Sequence, residues 1–204
     1  MEKLKKIAHV LNRIFKVLQG ISLGCASACG VLLLIAAVLP EGQYSRLVGA
    51  LDSYNFSVGF GTVALRLTQP LTVHGSLRLY VCVTLASAAV LLVLSWFGCR
   101  LLRRILTPMA ESRPFDSAVS VNLRSLGWLS LIGIACSYVL STVLAILELR
   151  LFDYSELFRE GMVTGYTLES QFELTYLLFP VLLFLLSYVF RYGEELQKLS
   201  DETL

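Results

Sequence analysis

The stretch VLQGISLGCASACGVLLLIAAVLP, Val17 to Pro40, decides the fold. It contains no charged side chain. A bilayer's hydrocarbon core is about 30 Å thick and takes about 20 apolar residues of helix to cross. Hydrocarbon offers the backbone no hydrogen-bond partner, so a run of this kind predicts a helix that satisfies its own N–H and C=O groups. Lysines precede the run, and Ala26-Ser27-Ala28 resembles a cleavage site for a secretory leader. The apolar run continues well beyond that point, longer than a leader's apolar region, and is read as a retained span.

Three more runs match it. Leu79–Cys99 and Ser125–Leu147 are uncharged, and Leu174–Phe190 is the shortest, with Pro180 inside it as an expected kink. The expected class is an all-α membrane protein, one integral domain over residues 1–204 with spans at 17–40, 79–99, 125–147 and 174–190. Continuous rather than alternating apolar runs argue against a β-barrel. Composition agrees: 56% of the 204 residues are hydrophobic, 16% are charged, and mean hydropathy is +0.70. Soluble domains carry about 25% charged residues. A soluble enzyme, a disordered tail and a nucleic-acid-binding module are thereby disfavoured, and a net charge of +2 implies no polyanionic partner.

Lysine and arginine placement sets the expected direction. Lys3, Lys5, Lys6, Arg13 and Lys16 precede span one; Arg100, Arg103, Arg104, Arg113 and Arg124 lie between spans two and three; Arg191 and Lys198 follow span four. These twelve face the five of the other two loops (Arg46, Arg66, Arg78, Arg150 and Arg159), so both termini are expected in the cytoplasm of a bacterial plasma membrane. Trp96 and Trp128 fall at the expected inner interface, Tyr80 and Tyr176 at the outer one.

The first 16 residues place Leu4, Ile7, Leu11 and Ile14 on one helical face, which Leu18 continues into span one. This amphipathic N-terminal segment either lies on the inner leaflet or simply extends span one. In the first outer loop, 41–78, partial alternation over Asn55–Leu67 predicts a short extracellular β-hairpin. The second outer loop, 148–173, is expected to begin as a helical continuation through Glu148, Phe152, Glu156 and Glu160. In the inner loop, 100–124, Thr107-Pro108 is expected to break the helix leaving span two, and Asp116 or Ser117 to cap the next.

Chemistry-bearing patterns are few. There is no His-Glu-x-x-His, no Gly-x-Ser-x-Gly and no phosphate-cradling Gly-rich loop, so no catalytic, cofactor-binding or metal-ligating residue is assigned and no cofactor is expected. Cys25 and Cys29 lie one turn apart without further ligands and are read as small hydrophobes. No ionisable group lies at mid-span, which disfavours an ion-coupled transporter. Two rows of small residues at helical spacing, Gly20–Gly24–Ala28 and Gly133–Ser137–Ser141–Ala145, fit close helix packing, within one bundle or in a homo-oligomer. Arg100, Arg103 and Arg104 fit anionic lipid heads or an acidic protein. Thr84, Ser87, Ser130, Ser137, Ser141 and Thr142 give the spans a polar, uncharged content that fits an alternative function, a carrier or channel-like component for a small apolar molecule.

The C-terminal end is the most distinctive part. Span four runs into Phe190-Arg191-Tyr192-Gly193-Glu194-Glu195-Leu196-Gln197, and the sequence closes with Asp201-Glu202-Thr203-Leu204. With Arg113-Pro114-Phe115-Asp116 and Asn122, this resembles a bacterial four-helix membrane family catalogued as domain of unknown function 2975. Ser117-Ala118-Val119 departs from the acidic or Asn residues that family often has after Pro-Phe. The resemblance implies no chemistry. It implies a membrane partner for a small helix-turn-helix transcription regulator, hence a regulatory or sensory role without direct contact to nucleic acid. The cytoplasmic surface expected to hold that partner comprises Arg100, Arg103, Arg104, Pro114, Phe115, Asn122, Arg191, Tyr192, Glu195, Gln197 and Asp201.

Overall fold

The computed structural model describes residues 2–40, 43, 57–60, 63–66, 75–111, 115–151 and 174–202. Four long helices carry it: α1 (Glu2–Val38), α2 (Leu77–Ala110), α3 (Ser117–Leu151) and α4 (Thr175–Glu202). All four are long and apolar enough to cross a membrane. Each runs past its uncharged stretch, because good helix formers such as Lys, Arg, Glu and Leu continue the hydrogen-bond ladder into the polar flank. The amphipathic N-terminal segment is thus one helix with span one.

Between α1 and α2 lie two four-residue strands, β1 (Ser57–Phe60) and β2 (Val63–Arg66). They pair antiparallel, Ser57 opposite Arg66 and Phe60 opposite Val63. A lone ribbon of this length is marginal in water. The backbone pairing is all that stands behind the expected hairpin, and the fold does not depend on it. The expected continuation of α3 beyond Leu151, through Phe152, Glu156 and Glu160, lies outside the described residues, as do Arg113 and Pro114.

The expected helix break at Thr107-Pro108 does not occur, since α2 continues to Ala110. Proline removes one N–H, and within a turn of the helix end that loss is confined to the carbonyl of Arg104. The Thr107 hydroxyl donates to the carbonyl of Arg103 (2.8 Å), and the N–H of Glu111 is shared between the carbonyls of Thr107 (3.2 Å) and Pro108 (3.1 Å). The connection to α3 is therefore much shorter than residues 100–124. Asp116 is the cap: its Oδ1 accepts from the N–H of Ala118 (2.9 Å), and its carbonyl from the N–H of Val119 (2.9 Å).

The contacts divide the chain into two compact units. The first comprises residues 1–29, 88–139 and 171–204. Its core is built where α2 ends, α3 begins and α4 passes: Ile105, Val119, Leu123, Leu126 and Leu183 are buried, with Leu101, Leu102, Met109, Leu129 and Phe190 packed around them. Val119 is completely buried. Trp128 of α3 meets Phe184 of α4 edge to face, with ring centroids 5.6 Å apart. Beside this pair, α3 presents Gly127 to the Phe184 ring, and a Cβ there would lie 2.9 Å from it. The Ser187 hydroxyl donates to the carbonyl of Ser120 (2.9 Å), a second link between the same helices. The second unit comprises residues 30–87 and 140–170. Within it, Arg78 at the start of α2 donates to the carbonyl of Ala37, one of the carbonyls that the end of α1 leaves without a helical partner. Gly75 sits against the backbone of Arg150 and Leu151, where a Cβ would come within 3.2 Å of the Arg150 carbonyl.

Gly127→Ala is expected to lower the stability of the purified protein in detergent by about 1–3 kcal/mol, the usual cost of overpacking. Gly133→Ala, with open space beside it, is expected to be near neutral. Thermal unfolding of both variants checks this, and equal melting points would show that the Phe184 ring yields freely.

Candidate functional site

The polar chemistry of the first unit gathers where α1 and α4 carry their charges and α2 turns into α3. Arg100, Arg103 and Arg104 occupy one end of α2 at i, i+3 and i+4, and they do different things. Arg103 turns to α1. Its Nε donates to Oδ1 of Asn12 (3.1 Å) and its Nη1 to Oε1 of Gln19 (2.8 Å). Asn12 and Gln19 are seven residues apart, two helical turns on one face, so one guanidinium fork spans both amides. All three side chains are half-buried. Around this clamp, His9, Asn12, Arg13 and Lys16 of α1 and Arg103 line a cationic cleft of about 400 Å³.

Arg100 lies over the Trp96 ring, with Cζ 5.4 Å from the centroid, a cation–π contact between residues one turn apart. Arg104 is exposed. Phe115, the described residue of the expected Pro-Phe pair, packs on α4. Its ring centroid is 5.9 Å from that of Phe190, and its edge would lie 2.5 Å from a Cβ at Gly193. The glycine of the Tyr-Gly-Glu-Glu stretch is thus the seat of the connection between α2 and α3. Asn122 folds back on its own helix, its Nδ2 donating to the carbonyl of Ala118 (2.6 Å).

The end of α4 is a polar helix. Arg191 pairs with Glu195 (3.5 Å) and Lys198 with Glu194 (2.8 Å), both at i, i+4. Water and salt screen such surface pairs, so they add little to stability. Gln197 is exposed, and the side chain of Asp201 lies outside the described residues. Tyr192 (59%) and Leu196 (49%) are exposed on the same stretch. Leu196 was not among the expected surface residues, although its i, i+4 spacing from Tyr192 marks a shared face.

The small-residue rows fall differently from the close approaches. Gly20, Gly24 and Ala28 are exposed on α1, and nothing lies within 4 Å of a Cβ at Gly20, Gly24 or Gly133. Ser137 and Ser141 are exposed and Ala145 half-buried. Among the described glycines within helices, the tight contacts are at Gly127 and Gly193 instead. Three of the six hydroxyls behind the carrier reading turn back on their own helices: Thr84 donates to the carbonyl of Tyr80, Ser87 to Val83 and Ser130 to Gly127, at 2.7–2.8 Å. Among the described residues no three His, Cys, Asp or Glu side chains converge.

No family model matches the chain, and no curated protein or solved structure does either.

Asn12 and Gln19 were not singled out in the sequence, although two amides seven residues apart at the foot of an apolar helix were there to be read. Charge-assisted hydrogen bonds contribute about 1.5–3 kcal/mol each. A double-mutant cycle of Arg103→Ala with Gln19→Ala, followed by unfolding in detergent, is expected to give a coupling of about 1 kcal/mol or more. Strictly additive costs would show that the fork does not bind the two helices together.

Proposed function

We propose that this chain is a non-enzymatic integral membrane protein of a bacterial plasma membrane, with four spans and both termini in the cytoplasm. In this reading it acts as a regulator or sensor through a cytoplasmic protein partner. The family resemblance supports a small helix-turn-helix transcription regulator as that partner.

One observation carries the reading: α4 does not stop where its apolar run stops. The uncharged segment ends at Phe190, and the helix continues to Glu202. At about 1.5 Å per residue, Leu196 lies about 9 Å beyond Phe190, past the hydrocarbon if Leu174–Phe190 fills it. There an exposed leucine and tyrosine sit beside the Arg191–Glu195 pair. Apolar side chains on a water-facing polar helix fit the groove of a protein partner, with the flanking charges setting specificity. Phe115, seated against Gly193, brings the connection between α2 and α3 to the same helix, so a change of shape among α2, α3 and α4 is felt at this surface.

The direction of insertion draws support from the first unit, which contains the N-terminal half of α1, the connection between α2 and α3 and the end of α4, the three basic segments that the lysine and arginine distribution assigns to the cytoplasm. A membrane-impermeant maleimide is expected to label Lys198→Cys only after the cells are opened. Labelling in intact cells would reverse the orientation and remove the cytoplasmic partner with it.

Crosslinked membranes are expected to yield a DNA-binding regulator with the tagged protein. Leu196→Glu should weaken that capture about thirtyfold, since a central interface anchor is worth about 2 kcal/mol. Reversal of Arg191 and Glu195 should alter the transcripts the regulator controls. Failure to recover any such regulator, together with unchanged transcripts, overturns the proposal.

A further inference from the structure

A groove of about 430 Å³ runs between α2 and α3, lined by Phe97, Arg100, Leu101, Arg104, Ser125, Trp128, Leu129 and Ile132. It has a direction. Arg100 and Arg104 lie past the end of the uncharged run of span two, one turn apart on α2, with Ser125 opposite them at the start of the uncharged run of span three. Phe97, Trp128 and Ile132 lie within those runs, and all three are exposed. One end of the groove is therefore cationic and the other is aromatic and aliphatic, with the change at the boundary that the sequence sets between hydrocarbon and headgroups. No acidic residue lines it. The Arg100 guanidinium is held over Trp96, which keeps it at that boundary and leaves its N–H edge for an acceptor.

We propose that this groove binds one anionic phospholipid, its phosphate between Arg100 and Arg104 and an acyl chain along Phe97, Trp128 and Ile132. The inference rests on reading α2 and α3 as membrane spans and is independent of any cytoplasmic partner. Two features select the occupant. The two guanidiniums meet no carboxylate within the lining and match a phosphodiester in charge and hydrogen-bond geometry. The apolar continuation matches a hydrocarbon chain, which a free phosphate or a nucleotide lacks. Basic pockets between spanning helices are an established chemistry for anionic headgroups, each cation near the surface adding to the attraction.

The protein carries its own reporter, because its two tryptophans are Trp96 at Arg100 and Trp128 in the groove. The purified chain is reconstituted in phosphatidylcholine vesicles with a minor fraction of lipid brominated on its acyl chain, and tryptophan quenching is followed. Brominated phosphatidylglycerol is expected to quench at a roughly tenfold lower fraction than brominated phosphatidylcholine. Arg100→Gln and Arg104→Gln should each reduce that preference by about fivefold, and Arg104→Lys should retain most of it. Lys6→Gln, which removes the same charge from an exposed site on α1, should leave the preference unchanged. Unchanged helical far-ultraviolet circular dichroism in pure phosphatidylcholine shows that each variant is folded.

Equal quenching by the two brominated lipids overturns the proposal. So does a loss for Lys6→Gln equal to that for the arginine variants, which would reduce the effect to general surface charge. Relief of quenching by excess inorganic phosphate, with quenching by the zwitterionic lipid unchanged, would make the ligand a free anion and also overturns it. Absence of quenching by either lipid would instead remove the membrane reading beneath it.

Discussion

The backbone's need for hydrogen-bond partners is the constraint on which the rest depends. In hydrocarbon an unpaired N–H or C=O costs several kcal/mol, so an apolar chain of spanning length closes its bonds within itself. The same constraint governs the details. Thr84, Ser87 and Ser130 return their hydroxyls to carbonyls of their own turns. Arg78 covers a carbonyl at the end of α1. The proline in α2 lies where its missing donor disturbs a single carbonyl near the helix end. Side chains such as Leu34 and Val38, exposed on α1, would be a liability in water and are the expected surface of a helix solvated by lipid.

What holds the first unit together is correspondingly small and specific. Among the described residues few side chains are buried, and the apolar cluster they form lies where α2, α3 and α4 meet. Lipid is as apolar as leucine, so shedding apolar surface drives association weakly in a membrane, and fit and polar contacts matter more. The close seat of Phe184 on Gly127, that of Phe115 on Gly193, and the hydrogen bond from Ser187 to Ser120 are contacts of this kind. They attach α4 to α3 and to the connection before it.

The four long apolar helices are legible in the sequence because their signal is long, uncharged and insensitive to context. Helix ends were less so. Thr107-Pro108 reads locally as a stop, yet its effect depends on how many helical residues follow, and two residues to Ala110 are few enough to absorb it. The cap at Asp116 was visible in its residue type and position. The small-residue rows were visible as a pattern, but spacing does not say which glycine a neighbouring ring will choose. Gly127 and Gly193 belong to no such row and make the close contacts, because Phe184 and Phe115 arrive from other parts of the sequence. The sequence shows three arginines at one end of α2 but not their division of labour, which depends on Asn12 and Gln19 sharing a face of α1.

That shared face also sets how α1 is allowed to move. The two amides stand two turns apart and both grip one guanidinium, so a slide of α1 along its axis by a turn, about 5.4 Å, pulls at least one of them off its donor. Rotation about the axis carries both away together. The arginine therefore pins the register of α1 against α2, since any such displacement sacrifices at least one charge-assisted hydrogen bond.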